Sequence, residues 1–235
     1  MLSIICPFRL RGDYILDDFI DYYHKLFPDA EIVVVIQNDN DLFLKGQLCN
    51  VGFQNSKGDV LTFIDVDTRI FGRADFENIA YEHDCPVIPF TDILKADCLG
   101  LGVYELHDEV ISTNPPGGIY IYRRNDFEAI NGHSNLYRGH TGHDKDLVWR
   151  GRPIWLDGVA YHLEHPIDNI KYKTSIRNNR IYETRETRDI QQDGIKQMRF
   201  DFDRVDEWNS FTKFLFVSNF TVSDDFIYKD ILNSD

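Results

Sequence analysis

The chain is 235 residues long, 43% hydrophobic and 14% aromatic, enough apolar material for one large packed domain and too much for a disordered chain. Its formal net charge of −14 speaks against nucleic acid as a partner, because neutralising a phosphate backbone takes a concentrated basic surface. No stretch reaches the roughly 18 consecutive apolar residues of a membrane span, and the four scattered cysteines (Cys6, Cys49, Cys85, Cys98) lack C-x-x-C spacing and read as buried thiols of a reducing compartment, so the expected location is the cytoplasm.

Strand and helix signals alternate through the first half, the pattern of an α/β fold with a mostly parallel central sheet and flanking helices. Residues 2–7 form a short apolar strand. Residues 14–27 place Leu16, Phe19, Ile20, Tyr23 and Phe27 at helical spacing, with Pro28 as the stop. A β-branched strand is expected at 31–36, a second helix at 41–55, and a third strand at 60–64, entered through the turn Lys57-Gly58-Asp59. The sheet is expected to resume at 87–89 and 118–122. Residues 172–193 are dominated by polar side chains and read as an arm or helical extension, while the apolar run 211–217 is expected to pack back on the body. The chain thus divides into a main domain, 1–166, and a C-terminal extension, 167–235. Residues 171–204 carry nine basic side chains against six acidic ones, a local contrast with the acidic remainder.

Ligands of open parallel sheets bind beyond the carboxyl ends of the strands, so the residues that follow the strands are the first site candidates. These are Pro7, Phe8 and Arg9 after the first strand, Gln37 after the second, and Asp65-Val66-Asp67 after the third. In an extended stretch Asp65 and Asp67 would point to the same side and could converge on one hard cation, although a D-x-D pair also fits a capped turn. His162 and His165 can meet one ion as well, and carboxylate with imidazole suits Mn²⁺ or a similar divalent metal. A third group runs from Ile130-Asn131-Gly132 to Gly139-His140-Thr141-Gly142-His143-Asp144-Lys145-Asp146. Its glycines permit a tight loop and its acids open a helix near 144–150, where Asp144 fits a helix cap as well as a chemical role.

Taken in order, these segments resemble the β-1,4-galactosyltransferase family of metal-dependent glycosyltransferases with the GT-A fold. Ile4-Ile5-Cys6-Pro7-Phe8-Arg9 is similar to that family's I-I-x-P-F-R, Phe43-Leu44-Lys45-Gly46-Gln47-Leu48-Cys49-Asn50-Val51-Gly52-Phe53-Gln54 to its F-N-R-A-K-L-L-N-V-G-F-Q, and Asp65-Val66-Asp67 to its D-V-D. Gly117-Gly118 stands where the family has G-G, Ile130-Asn131-Gly132 where it has I-N-G, residues 140–146 where it has W-G-G-E-D-D-D, and residues 162–165 where it has M-x-x-H. The resemblance covers about residues 3–166. It implies a GT-A fold and transfer of a sugar, with inversion, from a uridine diphosphate (UDP) sugar to an acceptor hydroxyl. Pro7, Phe8, Arg9, Gln37, Lys45, Asp65, Gly117 and Gly118 would lie on the donor side, with Asp67, His162 and His165 as ligands of Mn²⁺ or another divalent cation, and Asp144 as catalytic base. His140, His143 and Lys145 would face the acceptor. They replace the family's tryptophan, glutamate and aspartate, which implies a changed acceptor. Pro115 replaces a bulky residue, which leaves an N-acetylated donor open. Two other readings are a degenerate sugar-nucleotide-binding or carbohydrate-binding module and a transferase acting on hydroxymethylated DNA bases, the latter resting only on the basic 171–204 segment. That segment follows His165 directly, so it is expected on the acceptor side, with Arg177, Arg180 and Arg185 offered to an anionic acceptor.

Overall fold

The computed structural model describes residues 1–9, 13–39, 41–71, 75–139, 141–165 and 171–222. In chain order the elements are β1 (Leu2–Arg9), α1 (Asp13–Leu26), β2 (Glu31–Gln37), α2 (Lys45–Gln54), β3 (Val60–Ile64), β4 (Thr68–Arg69), α3 (Phe76–Glu82), β5 (Val87–Ile88), β6 (Asp92–Gly100), β7 (Val103–Thr113), β8 (Ile119–Arg123), α4 (Arg124–Ala129), α5 (His143–Gly151), β9 (Ile154–Trp155), β10 (Val159–Leu163), α6 (Lys171–Glu183), β11 (Met198–Glu207) and β12 (Thr212–Val222). An eight-stranded sheet runs β11-β12-β2-β1-β3-β8-β5-β9, and a four-stranded sheet runs β4-β10-β6-β7.

The β12-β2-β1-β3 block is parallel and holds the most apolar strands, as expected when both faces of a sheet are covered. Every residue of β2 is buried, and α1 lays Ile15, Phe19, Ile20 and Tyr23 into the core. Helix α2 is buried from Lys45 to Phe53, and a Cβ on Gly52 would stand 2.3 Å from Ile5 Cγ2, so only glycine lets this helix sit directly on β1. Parallel pairing is interrupted at β3, where β8 runs antiparallel, and resumes between β5 and β9. Cys6 and Cys49 are buried as expected, whereas Cys85 and Cys98 are only half-buried.

Two features place the site. In the smaller sheet β10 pairs antiparallel with β4 in the register Tyr161↔Arg69 and His162↔Thr68, and Leu163 N donates to Asp67 O at 2.7 Å. This sets His162 beside the carboxyl end of β3 across almost a hundred residues of chain. In the larger sheet β12 lies parallel to β2 with Lys213 opposite Val33, so residues 212–217 are a strand of the central sheet. Among the described residues no helix is long and apolar enough to cross a membrane.

Candidate active site

Strand β1 ends with Pro7 and Phe8 buried opposite Val35 and Ile36, and with Arg9 half-buried opposite Gln37. Phe8 is core, 1% exposed. Gln37 is buried too, and its amide holds the following loop. Its Nε2 donates to Asp39 Oδ1 (2.7 Å) and Leu42 O (3.1 Å), and its Oε1 accepts from Leu44 N (2.9 Å). Its part is to fix the entry to α2 and hence Lys45.

Strand β3 ends at Ile64, and the chain turns at once. Asp65 N donates to Gly118 O (3.0 Å) and Thr68 N to Asp65 O (2.9 Å), so the stretch is a turn and the two aspartates diverge. The extended geometry expected for this pair, with both carboxylates on one cation, is therefore corrected. Asp65 faces Lys45 (Nζ to Oδ1 2.7 Å), and Asp67 faces the two histidines, His165 Nε2 at 3.0 Å and His162 Nε2 at 3.7 Å from Asp67 Oδ2. The three ligand atoms of Asp67, His162 and His165 lie within 4.8 Å of one another. Burial raises the Asp67 carboxyl, but the His165 hydrogen bond and the charges of both imidazoles outweigh it and bring the pKa down to about 2. Glu164, between the histidines in sequence, turns away to Lys95 (3.0 Å).

The turn is fastened from below by Arg69, a residue that sequence reasoning missed because a lone arginine after D-V-D-T looks like surface. Its side chain is fully buried. Nη1 donates to Val66 O and Thr68 O (both 2.8 Å), and Nη2 donates to Asp18 Oδ2 (2.7 Å). The Tyr104 hydroxyl donates to the same Asp18 oxygen at 2.7 Å, and the rings of Phe19 and Tyr22 lie within 5.5 Å of the guanidinium carbon.

Asp144 opens α5 and meets three groups. Lys45 Nζ lies 2.9 Å from Oδ1, His143 Nε2 3.1 Å from Oδ2, and the Tyr120 hydroxyl 3.2 Å from Oδ1. Gly117 makes this possible, since a Cβ there would stand 2.9 Å from Asp144 Oδ2. Gly118, at φ +103°, takes the left-handed conformation that turns the chain into β8. Burial alone would favour a neutral Lys45, yet Asp144 and Asp65 on either side hold its pKa well above the ordinary lysine range. Burial likewise opposes the charge on Asp144, but His143 and Lys45 keep its carboxyl far below the usual range. Lys45 thus ties the carboxylate after β3 to the one at the start of α5. Lys145 is exposed on the next position, and His140 lies outside the described residues.

No family model matches the chain. It is 25% identical over 237 residues to human β-1,4-galactosyltransferase 1, covering 90% of this chain and 53% of that protein. It is 27% identical over 173 residues to the β-N-acetyl-D-glucosaminide β-1,4-N-acetylglucosaminyltransferase of Lymnaea stagnalis, covering 69% and 32%. The fold matches that of Drosophila β-1,4-galactosyltransferase 7, solved as a mutant with manganese, UDP-galactose and xylobiose, with a TM-score of 0.66 at 20% identity over 100% of this chain and 99% of that one. The chain is similar in sequence to β-1,4-galactosyltransferases and shares the fold of their GT-A catalytic domains. It spans about half the length of the curated relatives it matches.

Within this GT-A frame the residues beyond 166 are close to the site. Asn178 of α6 donates to Arg138 O (2.8 Å) and Thr141 O (3.0 Å), and Arg177 Nη1 donates to Leu136 O (3.0 Å). Asp146 of α5 pairs with Arg150 and Arg188, and Asp193 pairs with the same two arginines, all four buried. Tyr120, Asn178 and this quartet were not legible as site residues, since nothing local marks a side chain that acts through a partner far away in sequence.

Proposed function

We propose that this chain is a metal-dependent, inverting glycosyltransferase that moves a hexose or N-acetylhexosamine from a UDP-sugar to an acceptor hydroxyl on a glycan, a lipid-linked sugar or a modified polymer. The observation that carries the proposal is the cluster of Asp67, His162 and His165, whose ligand atoms are close enough for one ion. One carboxylate with two imidazoles suits Mn²⁺ or a similar divalent cation. Such an ion would offset the charge that grows on the leaving diphosphate. Arg9 and Asp65, at the carboxyl ends of β1 and β3, Lys45 at the start of α2, and the glycines at 117 and 118 just before β8 would face the donor. Asp144 would accept the acceptor's proton as the acceptor oxygen attacks the anomeric carbon from the face opposite the departing UDP, which inverts that centre. The relatives differ in donor by name, galactosyl in one and N-acetylglucosaminyl in another, and Pro115, standing where the family has a bulky residue, leaves either donor open.

A second reading, a sugar-nucleotide-binding module, is favoured by the strong hold of His143 and Lys45 on Asp144, since a carboxyl held so far below its usual range is a weak base. Turnover of UDP-sugars with Mn²⁺ separates the two. The metal site is tested by calorimetry of UDP with and without Mn²⁺, in the natural chain and in Asp67→Ala. Affinity is expected to collapse with chelator and in the variant; undiminished binding in either would overturn the proposal.

A further inference from the structure

The loop before α5 and its first turn carry two cations that the chemistry above does not use. Arg138 and Lys145 are exposed, and among the described residues neither side chain makes a hydrogen bond or an ion pair. The buried charges beside them are matched. Asp146 and Asp193 answer Arg150 and Arg188 (Arg150 Nε to Asp146 Oδ2 2.7 Å, Arg150 Nη2 to Asp193 Oδ2 2.8 Å), and Asp144 has Lys45 and His143. The rim next to Asp144 therefore presents positive charge on a chain whose net charge is −14.

This rim is built, because α6 braces the loop. Asn178, buried, spans it with bonds to the carbonyls of Arg138 (2.8 Å) and Thr141 (3.0 Å). Gly139 and Gly142, at φ +70° and +89°, let the loop close down, since a Cβ would stand 2.7 Å from Thr174 Oγ1 at one and 2.5 Å from Tyr137 Cε1 at the other. Two of the arginines that the sequence offers for this rim act differently. Arg177 donates to Leu136 O (3.0 Å), and Arg185 lies 4.2 Å from the centroid of the Tyr182 ring.

Taking the site as the transferase proposed above, on which the inference rests, we propose that its acceptor is an anionic saccharide, with a carboxylate or phosphate near the attacked hydroxyl, bound by Arg138 and Lys145 on a loop positioned by Asn178. A guanidinium offers forked donors to either anion and an ammonium adds a point charge, so both chemistries fit the pair.

The test uses the full chain with UDP and Mn²⁺ and three probes on one scaffold: cellobiose, cellobiouronic acid and cellobiose 6′-phosphate, with binding read by saturation-transfer NMR. At least one anionic probe is expected to bind about fivefold tighter than cellobiose at about 50 mM salt, and to lose most of that advantage at about 500 mM. The two anionic arms tell carboxylate from phosphate. The double substitution Arg138→Gln, Lys145→Gln should abolish the advantage and leave UDP affinity unchanged. Asn178→Ala should reduce the advantage with UDP affinity and melting temperature retained, and a fall in all three would count against a positioning role. Equal binding of the neutral probe, an advantage that survives in the double variant, or no binding of any probe while UDP binds, would each overturn the inference. Failure of UDP itself to bind in the natural chain would instead overturn the transferase reading, and this inference with it.

Discussion

His133 lies 1% exposed against the rings of Phe63, Tyr120 and Phe127, and neither of its ring nitrogens has a hydrogen-bond partner among the described residues. It also supports the site, because the helix bearing Lys45 reaches the His133 Cβ at Gly46, where an added Cβ would stand 3.1 Å away. Burial pushes its pKa well below the ordinary 6.5. The folded chain therefore binds fewer protons here than the unfolded chain once the pH falls below about 6.5, and stability falls as the pH drops through that window. At pH 5.5 the unfolded imidazole is about nine-tenths protonated, which works out to about 1.4 kcal/mol of stability lost at this one residue relative to pH 8. His133→Phe removes the titration and keeps an aromatic ring in the box. At pH 8 the gain from deleting two unsatisfied nitrogens, about 1–3 kcal/mol, is opposed by a comparable cost of fitting a larger ring, so the informative quantity is the difference between pH 8 and pH 5.5. Urea unfolding of both proteins at the two pH values should show the variant gaining about 1.4 kcal/mol on the natural chain as the pH is lowered. Parallel pH dependences would mean that His133 is hydrated or paired in solution, and the argument from burial would be refuted.

Asp144→Asn should leave Mn²⁺-dependent UDP affinity nearly intact and cut transfer by about 10²-fold or more, the loss expected for a positioned general base; transfer at the natural rate would reduce Asp144 to a helix cap. Arg69→Met leaves Asp18 buried with its charge unmatched and frees the carbonyls of Val66 and Thr68. Unfolding experiments should show a loss of about 3–5 kcal/mol. Calorimetry should show weaker Mn²⁺-dependent UDP binding, because the turn carrying Asp67 is no longer fastened. Unchanged UDP affinity in this variant would separate Arg69 from the site.

What the sequence determined by itself was what local pattern can carry. The β-branched run of β2 and the heptapeptide-scale apolar spacing of α1 reflect burial periodicity within a few residues, and the strand-end positions of Arg9, Asp65 and Asp67 follow from those strands. The helix opened by Asp144 was legible from its glycines and acids, and the order of the motifs pointed to the family. Tertiary structure decided the rest. Strand β4 is only Thr68–Arg69, too short to show any period, yet its pairing with β10 is what brings His162 and His165 to Asp67. The hairpin of β6 and β7 escaped notice because Leu99, Leu101, Val103 and Val110 are exposed, so its apolar residues follow no core-facing alternation. Arg69, Asp18, Arg150, Arg188 and Asp193 look like surface charges in one dimension, and they are interior only because each finds an opposite charge from a distant segment. Whether a charged side chain is solvated or buried depends on that partner, and the partner is supplied by the fold and not by its neighbours in the chain.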